Sequence, residues 1–182
     1  ITSPTRDDLP DGGASFFADT VRAVRGASPE TAIELLIPDF GGDRGSLEIV
    51  VSAHPDILGH NLETVPRLYH IRAGADYRRS LALLGTAREL DPSLRTKSGI
   101  MLGMCEVAGE VERVFADLLE RGCRYLSIGQ YLAPSKRHYP VREYLPPEAF
   151  DRYREKALSM GFRHVESGPY VRSSYRAERY DK

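Results

Sequence analysis

The 182-residue chain has only two cysteines, Cys105 and Cys123. That excludes a disulfide-rich scaffold and a metal site built from the chain's own thiolates. No apolar run approaches the roughly 20 residues that a membrane-spanning helix needs. No stretch reads as a secretory leader, and the cytoplasm is the expected location, with no membrane partner. Neither charge sign dominates: 25 Lys and Arg face 26 Asp and Glu, for a net charge of −1. Such a balance argues against a protein built to grip nucleic acid. Low-complexity tracts and linkers are also missing. The hydrophobic content of 41% suffices for the core of one domain, or of part of a larger one.

Short apolar runs alternate with longer amphipathic ones. Phe17, Val21 and Val24 recur at helical spacing in residues 14–27, with Gly26 as a stop. Strand candidates follow at 31–38, 56–61, 97–104, 123–131 and 162–168. Helices are expected between them at 45–53, 76–90, 109–122 and 146–161. Asp76 would cap the second of these, and the Pro pair 146–147 would open the last. Strand and helix alternating in this way is the pattern of βα units around a parallel sheet. The expected class is α/β, either an open doubly wound sheet or much of a (β/α) barrel. The chain opens on residues that read as the end of a strand and a polar loop. A barrel lacking its first strands is therefore expected, with an exposed edge that favours aggregation of the chain alone.

Polar residues cluster where these strands end: Thr2 and Ser3, Asp39, His60 with Asn61 and Glu63, Glu106 after the strand that Lys97 and Ser98 enter, and Gln130 with Tyr131. In parallel α/β folds those ends form the ligand-binding rim. Asp11-Gly12-Gly13 offers backbone groups to a charged ligand or is a plain turn before a helix. His60 and Glu63 alone do not make a metal site; hydrogen bonds from Asn61 and Glu63 to a ribose or carbonyl are better supported. Residues 134–144 form a basic loop, suited to a lid or to solvent. Cys105 and Cys123 read as core or loop residues. The tail holds Ser173 and Ser174 between Arg172 and Arg176, an arrangement suited to phosphate or carboxylate.

Several segments taken together resemble the lipoyl synthase family of radical S-adenosylmethionine enzymes. They are TSPTRDDLPDGGA, HNLETVPRLY, GADYRRSL, TKSGIMLG, IGQYLAPSKRHYPV and GPYVRSSY, in that order along the chain. The resemblance implies a partial TIM-like (β/α) barrel of the radical SAM type, truncated at its N-terminus. Residues 1–167 would form the barrel portion and 168–182 a tail carrying RSSY. It implies S-adenosyl-L-methionine and two 4Fe–4S clusters as cofactors in the full-length enzyme. The reaction would insert two sulfur atoms at carbons 6 and 8 of a protein-bound octanoyl-lysine, a radical removing the hydrogens and an auxiliary cluster giving up the sulfurs. Implied partners are octanoylated lipoyl carrier domains, of 2-oxoacid dehydrogenases or the glycine cleavage H protein. A ferredoxin or flavodoxin would be the electron donor.

Residue by residue, the resemblance places an auxiliary-cluster ligand at Ser173 or Ser174, and Ser174 is the expectation. Thr2, Ser3, Asp11, Gly12 and Gly13 would face the methionine end of S-adenosylmethionine. Asn61 and Glu63 would hold its ribose or methionyl group. Gly99, Gly103, Gln130 and Tyr131 would border the adenine, and the loop 134–144 would cover substrate or meet an acidic carrier. The family's CxxxCxxC motif and its three auxiliary-cluster cysteines would lie upstream of Ile1, and neither Cys105 nor Cys123 matches a ligand position. Cys105-Glu106, Ala73 and Ala133 also depart from the family's usual Gly-Glu, Pro and Gln. The chain alone is thus expected to hold no cluster and to be inactive. The alternatives are another βα-barrel enzyme, for which Lys97 would be the candidate Schiff-base lysine, or a non-catalytic protein that binds the octanoyl or lipoyl carrier.

Overall fold

A computed structural model describes residues 1–177. Five parallel strands are present: β1 (Glu34–Leu36), β2 (Ile57–Gly59), β3 (Arg95–Leu102), β4 (Tyr125–Gln130) and β5 (His164–Ser167). Five helices alternate with them: α1 (Ala14–Ala27), α2 (Arg44–Val51), α3 (Tyr77–Leu90), α4 (Ala108–Glu120) and α5 (Pro147–Met160). Strand order in the sheet follows chain order, β1-β2-β3-β4-β5. Right-handed crossovers without a reversal of order place every helix on one face, so the fold is an arc of a (β/α) barrel and not a doubly wound sheet. Residues at the start of the chain extend the arc: the Leu36 amide donates to the Ile1 carbonyl at 2.9 Å, and Thr2 bridges Leu36 in parallel.

The helix starts are written in single side chains. Asp11 accepts from the Gly13 and Ser15 amides before α1, and the Ser15 side chain together with these amides lowers its carboxyl to about 2. Asp43 accepts from the Ser46 amide, and Asp76 from the Arg79 amide, each at 2.7 Å. The cap at Asp43 explains why the Val-rich run 45–53 is helical. In α4, Val111, Val114, Phe115 and Leu118 follow the helical period and are fully buried. Phe115 meets Phe162 and Tyr153 edge-to-face, at 5.9 and 6.4 Å between centroids.

Side-chain alternation divides each strand between two environments. Leu35, Leu58, Ile100, Leu102, Leu126, Ile128 and Val165 face the helices and join the main core. Their neighbours Glu34, Leu36, Gly99, Met101, Ser127 and Gly129 face the concave side. The core also holds one buried imidazole. His60 Nδ1 lies 2.9 Å from the Ile37 carbonyl, and Nε2 lies 3.0 Å from Ser80 Oγ. A carbonyl can only accept, so Nδ1 carries the proton and Nε2 accepts from the Ser80 hydroxyl. Both nitrogens are spent, which rules out His60 as a metal ligand in this arrangement.

Burial lowers the His60 pKa from its ordinary 6.5. Below that pH the unfolded chain takes a proton that the folded chain refuses, so stability falls with falling pH. The expected outcome is a loss of up to about 1.4 kcal/mol per pH unit between pH 6.5 and 5, absent in His60→Asn. Urea unfolding of both proteins across this range checks it; identical slopes would contradict it.

Candidate functional site

The concave face opens at the C-terminal ends of the strands into a cavity of about 470 Å³. Small residues create it. Along the inward positions of β3 and β4 stand Gly99, Ser127 and Gly129, where larger side chains would fill the barrel. A Cβ at Gly99 would lie 2.7 Å from Ser127 Oγ and 2.8 Å from Asn61 Oδ1. A Cβ at Gly129 would meet the Val171 carbonyl oxygen at 2.3 Å. These glycines are therefore fixed by close approach: one by the site's own polar groups, the other by the tail crossing above it.

One wall comes from a bulge after β2. Gly59 pairs with Lys97, and the Glu63 backbone resumes pairing opposite Ile100. Four residue steps on one strand thus match three on the other. Glu63 takes a left-handed φ of 67°, its amide donates to the Gly99 carbonyl, and its carbonyl accepts from the Met101 amide. The bulge leaves both Asn61 and Glu63 on the cavity wall. Asn61 Nδ2 donates to Glu63 Oε1 at 3.2 Å. Burial pushes the Glu63 carboxyl up, opposed by the Arg72 guanidinium, the Asn61 amide and the Arg172 guanidinium. The site therefore holds a half-buried carboxyl that can accept from a ligand's hydroxyl or ammonium.

The lid of the cavity is the segment 168–177. Val171 is buried, and the Gly168 amide donates to the Ile128 carbonyl at 3.0 Å. Asn61 Nδ2 donates to Ser173 Oγ at 2.7 Å across 112 residues of sequence. Lys97 Nζ donates to the Ser173 carbonyl at 2.5 Å. Ser173 is thereby committed. Ser174 also lines the cavity but is exposed, and among the described residues no hydrogen bond holds its hydroxyl. The Arg172 guanidinium donates to the Val171 and Pro169 carbonyls, and that of Arg176 stacks on the Tyr175 ring. Neither is on Ser174. The last five residues of the expected tail, 178–182, lie outside the described residues.

Of the residues singled out in the sequence, Thr2, Asn61, Glu63, Gly99 and Ser174 share this cavity. Ser3 and Gly13 line a smaller hollow beside it, with Thr2. Asp11 caps α1, and Gly12 packs against Phe40. Gly103, Gln130 and Tyr131 do something else: they fasten the loop 131–145. Gln130 Nε2 donates to the Tyr131 and Glu143 carbonyls, and its Oε1 accepts from the Leu145 amide. Gly103, at φ 112°, accepts from the Arg142 amide at 2.8 Å, and the Tyr131 hydroxyl donates to the Tyr139 carbonyl. Glu106 and Asp39 are likewise spent on turns and on Arg79. Sequence reasoning missed Glu34 and the inward course of Lys97, which is the third residue of β3 and not its entrance. Lys97 Nζ donates to Glu34 Oε1 at 2.8 Å, so it does not stand open to a carbonyl substrate.

The two cysteines are far from this chemistry. Cys105 is exposed in the turn after β3. Cys123 is buried at the opposite end of β4, and burial raises its thiol to about 12. Among the described residues, no three His, Cys, Asp or Glu side chains gather where they could hold a metal ion. No helix among them is long and apolar enough to cross a membrane.

Comparison with known proteins gives a consistent picture. A lipoyl synthase of Geotalea uraniireducens is 70% identical over 180 residues, which covers 99% of this chain and 64% of that protein. A lipoyl synthase of Geobacter metallireducens is 70% identical over 181 residues, and one of Caldicellulosiruptor saccharolyticus is 52% identical over 183. The chain thus spans about 64% of the length of these curated relatives. No protein-family model matches it. Among solved structures, the HMG-CoA lyase of Brucella melitensis superposes with a TM-score of 0.48 at 14% identity, covering 92% of this chain and 75% of that one.

Gly99→Ala tests the construction of the cavity. The added methyl must displace the Ser127 hydroxyl or the Asn61 amide, the latter loosening the bond to Ser173. The expected cost is about 1–3 kcal/mol of stability, read by denaturant unfolding. A neutral substitution would show that the cavity wall is not packed as described.

Proposed function

The chain belongs to the lipoyl synthase family, and on that premise we propose that it forms the substrate-facing part of a lipoyl synthase, which inserts two sulfur atoms into a protein-bound octanoyl-lysine. The observation that carries this reading is the seating of the RSSY serines. A hydrogen bond from Asn61 to Ser173 joins the two most distinctive motifs, HNLET and RSSY, in one cavity. Motifs with unrelated duties would have no reason to meet there.

The residues present suit S-adenosylmethionine. About 470 Å³ accommodates one nucleoside-sized ligand. The Asn61 amide, the Glu63 carboxyl and the Thr2 hydroxyl offer partners for ribose hydroxyls and for an ammonium group. Bound there, S-adenosylmethionine would supply the radical that removes hydrogen from the octanoyl chain. Asn61 orients it through the amide oxygen left by its donation to Glu63 and Ser173. Glu63, half-buried on the wall, accepts from it.

The iron–sulfur clusters do not find a ligand set in this chain. It offers one candidate, the Ser174 hydroxyl, and no neighbouring cysteine; the other ligands would come from residues beyond it. We therefore assign Ser174 as the oxygen ligand of the auxiliary cluster, with Ser173 as the anchor that places it, and no step of the reaction is derived from a cluster. The partners that follow are an octanoylated carrier domain and a small electron-transfer protein. The basic loop 131–145, with Leu132 and Tyr144 exposed, is the surface offered to the carrier.

The test uses the protein expressed without oxygen from its complete reading frame. The unaltered protein is expected to hold about eight irons and to convert an octanoyl-lysine peptide. Ser174→Ala is expected to lose sulfur insertion by roughly 100-fold or more, with Ser173→Ala milder. An iron-free protein that still binds the octanoylated carrier would overturn the enzymatic reading, and full activity of Ser174→Ala would overturn the ligand assignment.

A further inference from the structure

Lys97 is 2% exposed, yet it carries an ammonium group in the interior of the barrel. Taking such a charge out of water costs several kcal/mol, and a well-packed apolar side chain of similar volume is often the more stable solution. Its pairing with Glu34 is also incomplete: Glu34 Oε1 accepts from Nζ at 2.8 Å, while the other carboxylate oxygen, Oε2, is buried without a partner. The ammonium also delivers a hydrogen bond to the tail. Lys97 Nζ reaches the main-chain carbonyl of Ser173, 76 residues away, at 2.5 Å.

The strap needs such a hold. Residues 168–177 form turns, and their own backbone bonds are few: the Val171 amide to the Gly168 carbonyl, and the Tyr175 amide to the Arg172 carbonyl. Among the described residues, beyond the Val171 side chain and the Gly168 amide, its polar attachments to the barrel converge on Ser173. Asn61 takes the hydroxyl and Lys97 takes the carbonyl. A donor from β3 and a donor from the bulge after β2 therefore fix both ends of one residue, and with it the direction in which the next residue projects.

We infer that Lys97 is a positioning residue: by holding the Ser173 carbonyl it seats the strap over the cavity and sets where Ser174 stands. Glu34 orients the ammonium for this task. The tether itself stands apart from the lipoyl synthase reading; only the consequence for Ser174 rests on it.

The experiment is hydrogen–deuterium exchange on the protein from its complete reading frame, read on peptides covering the strap and on peptides covering β3 and β4. Two proteins are compared with the unaltered one: Lys97→Met, and Lys97→Met combined with Glu34→Gln. The double substitution removes the ammonium together with the carboxylate hydrogen-bonded to it, so Glu34 is not left as an unpaired buried charge and the fold is kept if the first variant does not keep it. Loss of a charge-assisted hydrogen bond is expected to speed exchange of the strap roughly ten-fold in the double variant, with β3 and β4 unchanged. Unchanged exchange of the strap would overturn the inference. So would equal acceleration of strap and strands in the double variant, because Lys97 would then be part of the core and no tether. The measurement needs neither iron nor S-adenosylmethionine, so its outcome is independent of the Ser174→Ala result.

Discussion

The structure depends on the docking of one residue, Ser173, into the mouth of an open barrel. Its hydroxyl and carbonyl are taken by Asn61, in the bulge after β2, and Lys97, on β3. Among the described residues, the segment 168–177 is otherwise held to the barrel by the buried Val171 side chain and the Gly168 amide. The cavity beneath has a half-buried carboxyl, Glu63, on its wall and Ser174 at its rim, whose hydroxyl no hydrogen bond among the described residues holds. Polar groups are affordable inside because nearly all of them are paired. Among the described residues four buried side-chain oxygens lack a partner: Glu34 Oε2 beneath the tether, Glu106 Oε1 at the turn after β3, and the Thr64 and Thr96 hydroxyls.

The cavity follows from omission. Outward positions of the strands are filled by Leu, Ile and Val against the helices. Inward positions of β3 and β4 are Gly99 opposite Ser127 at one level and Met101 opposite Gly129 at the next. The same alternation that builds the core therefore hollows out the site, and the tail can approach β4 closely because Gly129 has no side chain. Function on this fold comes from the C-terminal ends of the strands, and here the last segment of the chain returns to those ends to complete them.

Much of the fold was legible because period and punctuation agree. The apolar spacing in 109–122 gives α4, Asp76 and Asp91-Pro92 bracket α3, and alternating elements give the parallel sheet. Strand ends were read less well: residues 31–38 shrink to Glu34–Leu36, because β1 pairs only where β2 is regular, and β2 breaks at the bulge. The turn of 3₁₀ helix at Pro66–Ile71 had no clear periodic signal. At the site, polarity at strand ends was a half-true guide. Thr2, Asn61 and Glu63 face the cavity, while Asp39, Glu106 and Gln130 satisfy backbone groups in turns. The two uses need the same residue types, so composition cannot separate them. The inward course of Lys97 was hidden for a different reason: a buried lysine is visible only with its partners Glu34 and Ser173, far away in sequence.

The central claim is that the RSSY strap is locked to the HNLET bulge, and a double-mutant cycle between Asn61→Ala and Ser173→Ala tests it most directly. The readout is the exchange protection of the strap in each single variant and in the pair. The account predicts strong coupling: either substitution alone loosens the strap, and the second adds little to the first. Fully additive effects, or a strap that stays protected throughout, would contradict it.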